Sequence, residues 1–346
     1  MSKIATVTTS LDWRKAWSRP WVGGLAIVSL GMLAWVLWCA SLAEVWWSLR
    51  SAEYSLIALG IPVILAGLIF RALRWRLLLL PLDKPSLSIS FRSMMVGYLV
   101  NNLLPMRAGE LVRAYVLAQQ VSISKSAILA TIVVERITDG LAMLMALSVL
   151  IIVLPTPSWA RQLTLGSAAV VGATLVLLIG ARGGRDRIVS LLQTVVSHLP
   201  STWQSKGVSL VDNFLTGLKS FDNMTNALAY LLLILLAWSV DVLLFWIVMR
   251  AFHISLAVPA VVLVVAAGAL STIIPALPGS VGTYQFVIVH ILTFLGVLTG
   301  PATAFALGVH GLVWLTGNIV GIGCILQLGG IFRQPYSRKL TRIALD

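Results

Sequence analysis

The chain has 346 residues, 59% of them hydrophobic and only 11% charged, with a mean hydropathy of +0.96 and a formal net charge of +13. That composition excludes an ordinary soluble globular domain and places the chain among integral membrane proteins. The basic residues cluster beside apolar runs, which argues against nucleic acid as a partner and for orientation on an anionic lipid surface.

In chain order, Lys3, Arg14, Lys15 and Arg19 precede an apolar run from Trp21 to Ala40, and the small-x-small triplet Ser41-Leu42-Ala43 follows. This resembles a cleavable signal peptide, but the run is longer than the roughly 7–15 apolar residues of such a peptide, so a retained first membrane helix is expected. A second span is predicted over Tyr54–Leu73, ending among Arg71, Arg74 and Arg76. The amphipathic stretch Leu87–Leu104 leads into "NNLLPMRAGELVRAY", residues 101–115, and Glu110–Gln120 follows it. Further spans are predicted over Ser126–Leu154 and Leu163–Gly180. Residues 182–224 carry Arg182, Arg185, Arg187, Lys206 and Lys219 among helical-period leucines and valines, and read as an amphipathic surface segment. Hydrophobic sequence resumes at Ala227–Met249, Val258–Ile274, Tyr284–Leu298 and Ala302–Leu328.

Basic residues favour the cytoplasmic side. The expected organisation is a cytoplasmic segment over 1–20, a first membrane half over 21–180, a cytoplasmic linker over 181–224, a second half over 225–330 and a basic cytoplasmic tail over 331–346. The sides balance if 87–120 enters and leaves the membrane on the cytoplasmic face as a re-entrant hairpin, and 256–299 does so from outside. "STIIPALPGSVGTY", 271–284, aligns without gaps on 101–114, setting Ser271 on Asn101, Pro275 on Pro105 and Gly279 on Gly109. Gly/Pro-interrupted segments in corresponding positions point to an inverted-repeat transporter with its site at the repeat interface. The predicted fold class is therefore an all-α polytopic membrane protein, with about six full spans and two oppositely oriented re-entrant helical hairpins.

The polar loop inside this apolar sequence needs a reason, because non-helical backbone at membrane depth survives only when buried in protein or lining a wet cavity. Pro105 and Gly109 break the chain there. Arg107 and Arg113, beside the next helix N-terminus, suit a phosphate-bearing head group. Glu110 lies in that helix's first turn, placed to pair with an arginine or a cationic group. A second anomaly is "VVERITDGLAML", 133–144, where Glu135 and Asp139 share a helix face and Arg136 lies about 100° away. The two carboxylates fit a proton carrier, a site for a cationic moiety, or the neutralising half of an ion-pair network that locks helices together. Arg71, Arg74 and Arg76 read as snorkelling anchors, with head-group contact as the minority reading. Asp241, His290 and His310, each within an apolar run, read as helix–helix hydrogen-bond partners, Asp241 foremost. Trp35, Trp38, Trp46 and Trp47 read as part of an interfacial belt. Paired-His metal motifs, a Walker loop and a GxSxG elbow are absent, so neither an enzyme nor a cofactor nor a metal is expected.

In order and spacing, "NNLLPMRAGELVRAYVL", "ATIVVERITDGLAML" and "IPALPGSVGTYQ" resemble the lysylphosphatidylglycerol synthase transmembrane-region family, the flippase-like domain also called uncharacterised family 0104. The resemblance implies transfer of a lipid with an anionic or zwitterionic head between leaflets, such as aminoacylated phosphatidylglycerol or a glycolipid or isoprenoid lipid. It assigns Asn102, Pro105, Gly109, Glu110 and Arg113 to the first motif, Glu135, Arg136 and Asp139 to the second, and Pro275, Pro278, Gly279 and Gly282 to the third. Asn101, at the start of the first motif, joins the candidate set. The third motif commonly reads PGGxGxxE, whereas Ser280 here replaces a glycine and Gln285 stands at the acid. The soluble aminoacyl-transferase domain is missing, so a synthase is not expected. An accessory role beside a lipid or envelope-glycan enzyme is the alternative, with that enzyme and a second copy of the chain as the protein partners left open.

Overall fold

A computed structural model describes residues 20–104, 108–153, 223–272 and 276–332. Among these the chain is helical, with no strand. The predicted span at 163–180, most of the amphipathic segment at 182–224 and the basic tail lie outside the described residues. Helix α1 covers Pro20–Cys39 and α2 Leu42–Arg50, with α1 (from Gly23) and α2 set 85° apart. Ser41 makes that corner, its side chain accepting from the Glu44 amide as the α2 N-cap. Trp38, Trp46 and Trp47 stay outward there at 87%, 67% and 68% exposure, as the aromatic belt predicts.

Helix α3 covers Tyr54–Leu79, α4 Leu87–Leu103, α5 Gly109–Ala118 and α6 Lys125–Val153. After the gap come α7 over Met224–Ala251, α8 over Val258–Ser271, a 3-10 turn at Pro278–Ser280, α9 over Thr283–Phe294 and α10 over Thr299–Phe332. Among the described residues three helices are long and apolar enough to cross a membrane, Tyr54–Leu79, Met224–Ala251 and Thr299–Leu328, and the bent α1–α2 pair is a fourth candidate. Helix α6 has 29 residues but carries Lys125, Glu135, Arg136 and Asp139, which sets it apart from those three.

Helices α3 and α7 run antiparallel through the centre. The Glu53 amide donates to the Ala251 carbonyl at one end, Arg71 pairs with Asp241 in the middle, and Arg74 lies over the Tyr230 ring further along. Their outer faces (Leu59, Leu65 and Ile69 on α3, Leu228, Leu232 and Leu235 on α7) are exposed leucines and isoleucines, a surface made for lipid. Their inner faces hold the core with Trp75, Leu78, Leu79 and Val248, all at 0% exposure.

Two short-helix pairs flank this centre. In the first, α4 and α5 meet so closely that a Cβ on Gly109 would sit 1.9 Å from the Gly97 carbonyl oxygen. Asn101 Oδ1 accepts from the Gly109 amide at 2.8 Å, tying the end of α4 to the start of α5 across the break. In the second, α8 and α9 flank a turn in which Gly279, Ser280 and Gly282 have positive φ of 69°, 58° and 93°. Glycine relieves the strain at two of these positions. Helix α1 lies over this break: Ser29 Oγ accepts from the Leu277 amide at 3.1 Å, and the Ser29 carbonyl lies 1.9 Å from where a Gly282 Cβ would be.

Candidate functional site

Among the described residues, most of the ionisable groups buried between the helices form one connected cluster. Arg74, 1% exposed, donates to Glu135 at 3.2 Å and to Asp139 at 2.9 Å. Glu135, also 1% exposed, brings its other carboxylate oxygen 3.0 Å from an Arg113 guanidinium nitrogen, an ion pair set off the hydrogen-bond direction. Arg113 in turn lies over the Trp75 ring at 3.5 Å to its centre, in the cation–π position. Arg136 approaches Glu110 at 3.1 Å and Asp139 at 4.0 Å and is the most exposed member, at 33%. Arg71 pairs with Asp241 beside them.

Local structure explains each placement. Arg71, Arg74 and Trp75 share one face of α3 through the 3.6-residue period, and Glu135 and Asp139 share one face of α6. Arg113 reaches the same point because α5 is held on α4 by the Gly97–Gly109 contact. Around the ions, Trp75 Nε1 donates to Thr131 at 3.0 Å and the Thr138 hydroxyl bonds the Tyr230 hydroxyl at 2.8 Å. Four arginines, Arg71, Arg74, Arg113 and Arg136, face four carboxylates, Glu110, Glu135, Asp139 and Asp241. A buried charge left alone is strongly disfavoured, so this balance is what lets the cluster exist in an apolar bundle.

The snorkelling expected of the α3 arginines is overturned for two of them. Arg74 is buried in the cluster and Arg71 turns inward to Asp241. Carboxylates on α6 and α7 offer these guanidinium groups a partner inside the bundle that competes with water at the surface. Arg76 alone turns to the loop, donating to the Pro85 carbonyl at 2.8 Å. Asp241 does join two helices, as its position in an apolar run suggests. His290 bonds the Phe286 carbonyl of its own helix instead of a neighbour.

The third motif forms a separate, uncharged set. Gln285 Oε1 accepts from the Gly282 amide at 2.8 Å, which leaves Nε2 to donate to His310 Nδ1 at 2.6 Å. His310 belongs to α10, so Gln285 ties the turn at 278–282 to that helix. The two breaks meet through Asn102: its side-chain amide donates to Asn318 on α10 at 3.0 Å, and its carbonyl oxygen lies 3.6 Å from the Cβ position of Gly279. Pro278 and Ser280 flank that glycine in the same turn. Pro105, Arg107 and Pro275 lie outside the described residues.

Sequence reasoning missed Trp75, Tyr230, Trp314, Asn318 and Ser29. Asn318 carried a signal, being an amide within an apolar helix. Ser29 and Trp75 carried none, since serine and tryptophan are ordinary in spans. Among the described residues no group of three or more His, Cys, Asp or Glu side chains is arranged to hold a metal.

Comparison with known proteins places the chain among membrane proteins. A curated relative, a UPF0104 membrane protein of Methanothermobacter thermautotrophicus, is 25% identical over 332 residues, covering 91% of this chain and 93% of the relative. No solved structure matches the chain. The family model described as "Lysylphosphatidylglycerol synthase TM region" matches residues 21–321, so the chain belongs to that family of membrane proteins.

Proposed function

We propose that the protein is a flippase that moves a lipid head group, anionic or zwitterionic, between the leaflets of the cell membrane, with both termini cytoplasmic. The observation that carries this reading is the meeting of the two broken helix pairs inside the bundle. The Asn102 end of α4–α5 touches the Gly279 turn of α8–α9, where polar backbone and amides lie among apolar spans. Such breaks are tolerated when they line a polar path, and a head group crossing between leaflets needs one.

In this reading the halves form an inverted repeat. An offset of 170 residues carries Tyr54, the start of α3, onto Met224, the start of α7, and carries Arg71 onto Asp241. The same offset carries α4 onto α8 and the start of α6 close to the start of α10, and α3 and α7 run antiparallel as inversion requires. The α4–α5 and α8–α9 pairs are then the two re-entrant hairpins. Arg136, the most exposed arginine of the cluster, and Arg107 would meet the phosphate, while Glu135 and Asp139 hold Arg74 and Arg113 in place. No catalytic step is assigned to the chain, and its ligand is membrane lipid.

The test is translocation in proteoliposomes, with head-group-labelled lipids and a membrane-impermeant quencher. Faster quenching of at least one lipid class, lost in Glu135→Gln, is the expected result. Well-folded protein that moves no lipid, with and without a proton gradient, would refute the reading and favour the accessory role.

A further inference from the structure

From Val258 to Phe332 the sequence contains no Asp, Glu, Lys or Arg. The second hairpin and the last helix therefore contribute only neutral groups to the polar interior, whereas every member of the ion cluster comes from α3, α5, α6 or α7. The neutral groups converge where the hairpins meet. Asn318 is 6% exposed, and one half of its amide is used by Asn102. The other half, Nδ2, has no hydrogen-bond partner. Exchanging N and O in both amides would only transfer the unmet group from a donor to an acceptor. A buried amide half-satisfied in an apolar bundle carries a desolvation penalty that a ligand atom would relieve.

Two more groups lie at the Gly279 turn, which Asn102 joins to Asn318. The Trp314 indole nitrogen lies 3.1 Å from the Cβ position of Gly279, and the Asn102 carbonyl 3.6 Å from it. Among the described residues the indole N–H has no acceptor. Gly279, in the left-handed region at φ 69°, lets the Trp314 ring edge and the Asn102 backbone carbonyl approach more closely than a side chain would allow. Indole N–H and amide N–H donors, an amide carbonyl acceptor and an aromatic face, with no charge nearby on the same hairpin, match a group that both donates and accepts. A hydroxyl does both, and the apolar edge of a polyol packs on an aromatic ring.

We propose that Asn102, Asn318 and Trp314, around Gly279, form a subsite for the hydroxyl groups of a polyol head, glycerol or sugar, separate from the ion cluster. The proposal rests on the transport reading for its place in the cycle but not for its binding. The head group is thereby read in two parts, charge by the ion cluster and hydroxyls where the two hairpins meet.

The experiment measures binding of short-chain soluble lipids to purified protein in detergent, then translocation of the long-chain forms. The probes are phosphatidylglycerol (phosphate and hydroxyls), phosphatidylmethanol (phosphate alone) and glucosyl diacylglycerol (hydroxyls alone). Phosphatidylglycerol should bind about tenfold more tightly than phosphatidylmethanol, the scale of one or two matched hydrogen bonds. Asn318→Leu and Trp314→Phe should each erase most of that preference while leaving phosphatidylmethanol binding unchanged. Binding of glucosyl diacylglycerol, lost in the same variants, would identify a sugar as an accepted polyol, and its absence would restrict the subsite to glycerol. Trp314→Phe keeps the ring, so it stays informative if Asn318→Leu fails to fold. Equal binding of phosphatidylglycerol and phosphatidylmethanol, or a preference that survives both substitutions, overturns the subsite. A preference in binding with no translocation of any lipid overturns the transport reading and leaves the subsite standing.

Discussion

Removing the Glu135 charge should destabilise the protein more than removing Arg113, although the two form one ion pair. Glu135 serves two cations, Arg74 at 3.2 Å and Arg113 at 3.0 Å. In Glu135→Gln, Arg74 keeps Asp139, but Arg113 loses the carboxylate it pairs with while only 1% exposed. An uncompensated buried charge of that kind costs about 3–5 kcal/mol. In Arg113→Gln the carboxylate keeps Arg74, and what is lost is one ion pair and the stack on Trp75, about 1–3 kcal/mol together. The double variant removes both charges at once, so it should be no less stable than Glu135→Gln alone, with a coupling of about 1–3 kcal/mol between the sites. The assay is reversible unfolding in mixed detergent–SDS micelles, followed by tryptophan fluorescence, for the four members of the cycle. Additive single effects, or a larger loss in Arg113→Gln than in Glu135→Gln, would refute this account of the cluster.

Three further outcomes are expected. Gly282→Ala places a Cβ 1.9 Å from the Ser29 carbonyl at a φ of 93°, so it should abolish the monodisperse peak in fluorescence-detected gel filtration, whereas Gly140→Ala, with nothing within 4 Å, should leave it intact. Arg71→Asp and Asp241→Arg should each lower the melting temperature, and the charge-swapped double variant should recover most of the loss. Ser29→Ala removes the acceptor of the Leu277 amide and should cost about 1 kcal/mol in the same unfolding assay, showing that α1 is fastened to the second hairpin.

The fold and site were legible wherever a residue violated its surroundings. Glu135 and Asp139 announced themselves because carboxylates are costly in an apolar helix, and their spacing of four put them on one face. The breaks at Gly109 and Gly279 were legible because glycine and proline interrupt an apolar run for a steric reason that needs no partner to recognise. The arginines of α3 were misread because a guanidinium near a helix end can turn outward to water or inward to a carboxylate. The choice depends on α6 and α7, which the period of α3 does not contain. Asn318 lies 216 residues from Asn102, and a single amide in a span says that it wants a partner without saying which. The 85° corner at Ser41 was hidden for a different reason: its capping serine also satisfies the small-x-small rule of a processing site.

The pairing of Arg71 with Asp241 has a consequence for ancestry. On the inverted-repeat reading proposed above, the two are counterparts under the 170-residue offset, and their contact would mark the axis relating the halves. If each half were a separate copy of one gene product, that contact would set arginine against arginine, or aspartate against aspartate. Opposite charges at equivalent positions can arise only after duplication has let the two copies mutate independently. Once fixed, such a pair would make fusion hard to reverse: a homodimer of either half would carry like charges at its own centre. On that reading the contact would be the trace of descent from a symmetric pair that its own charges now forbid.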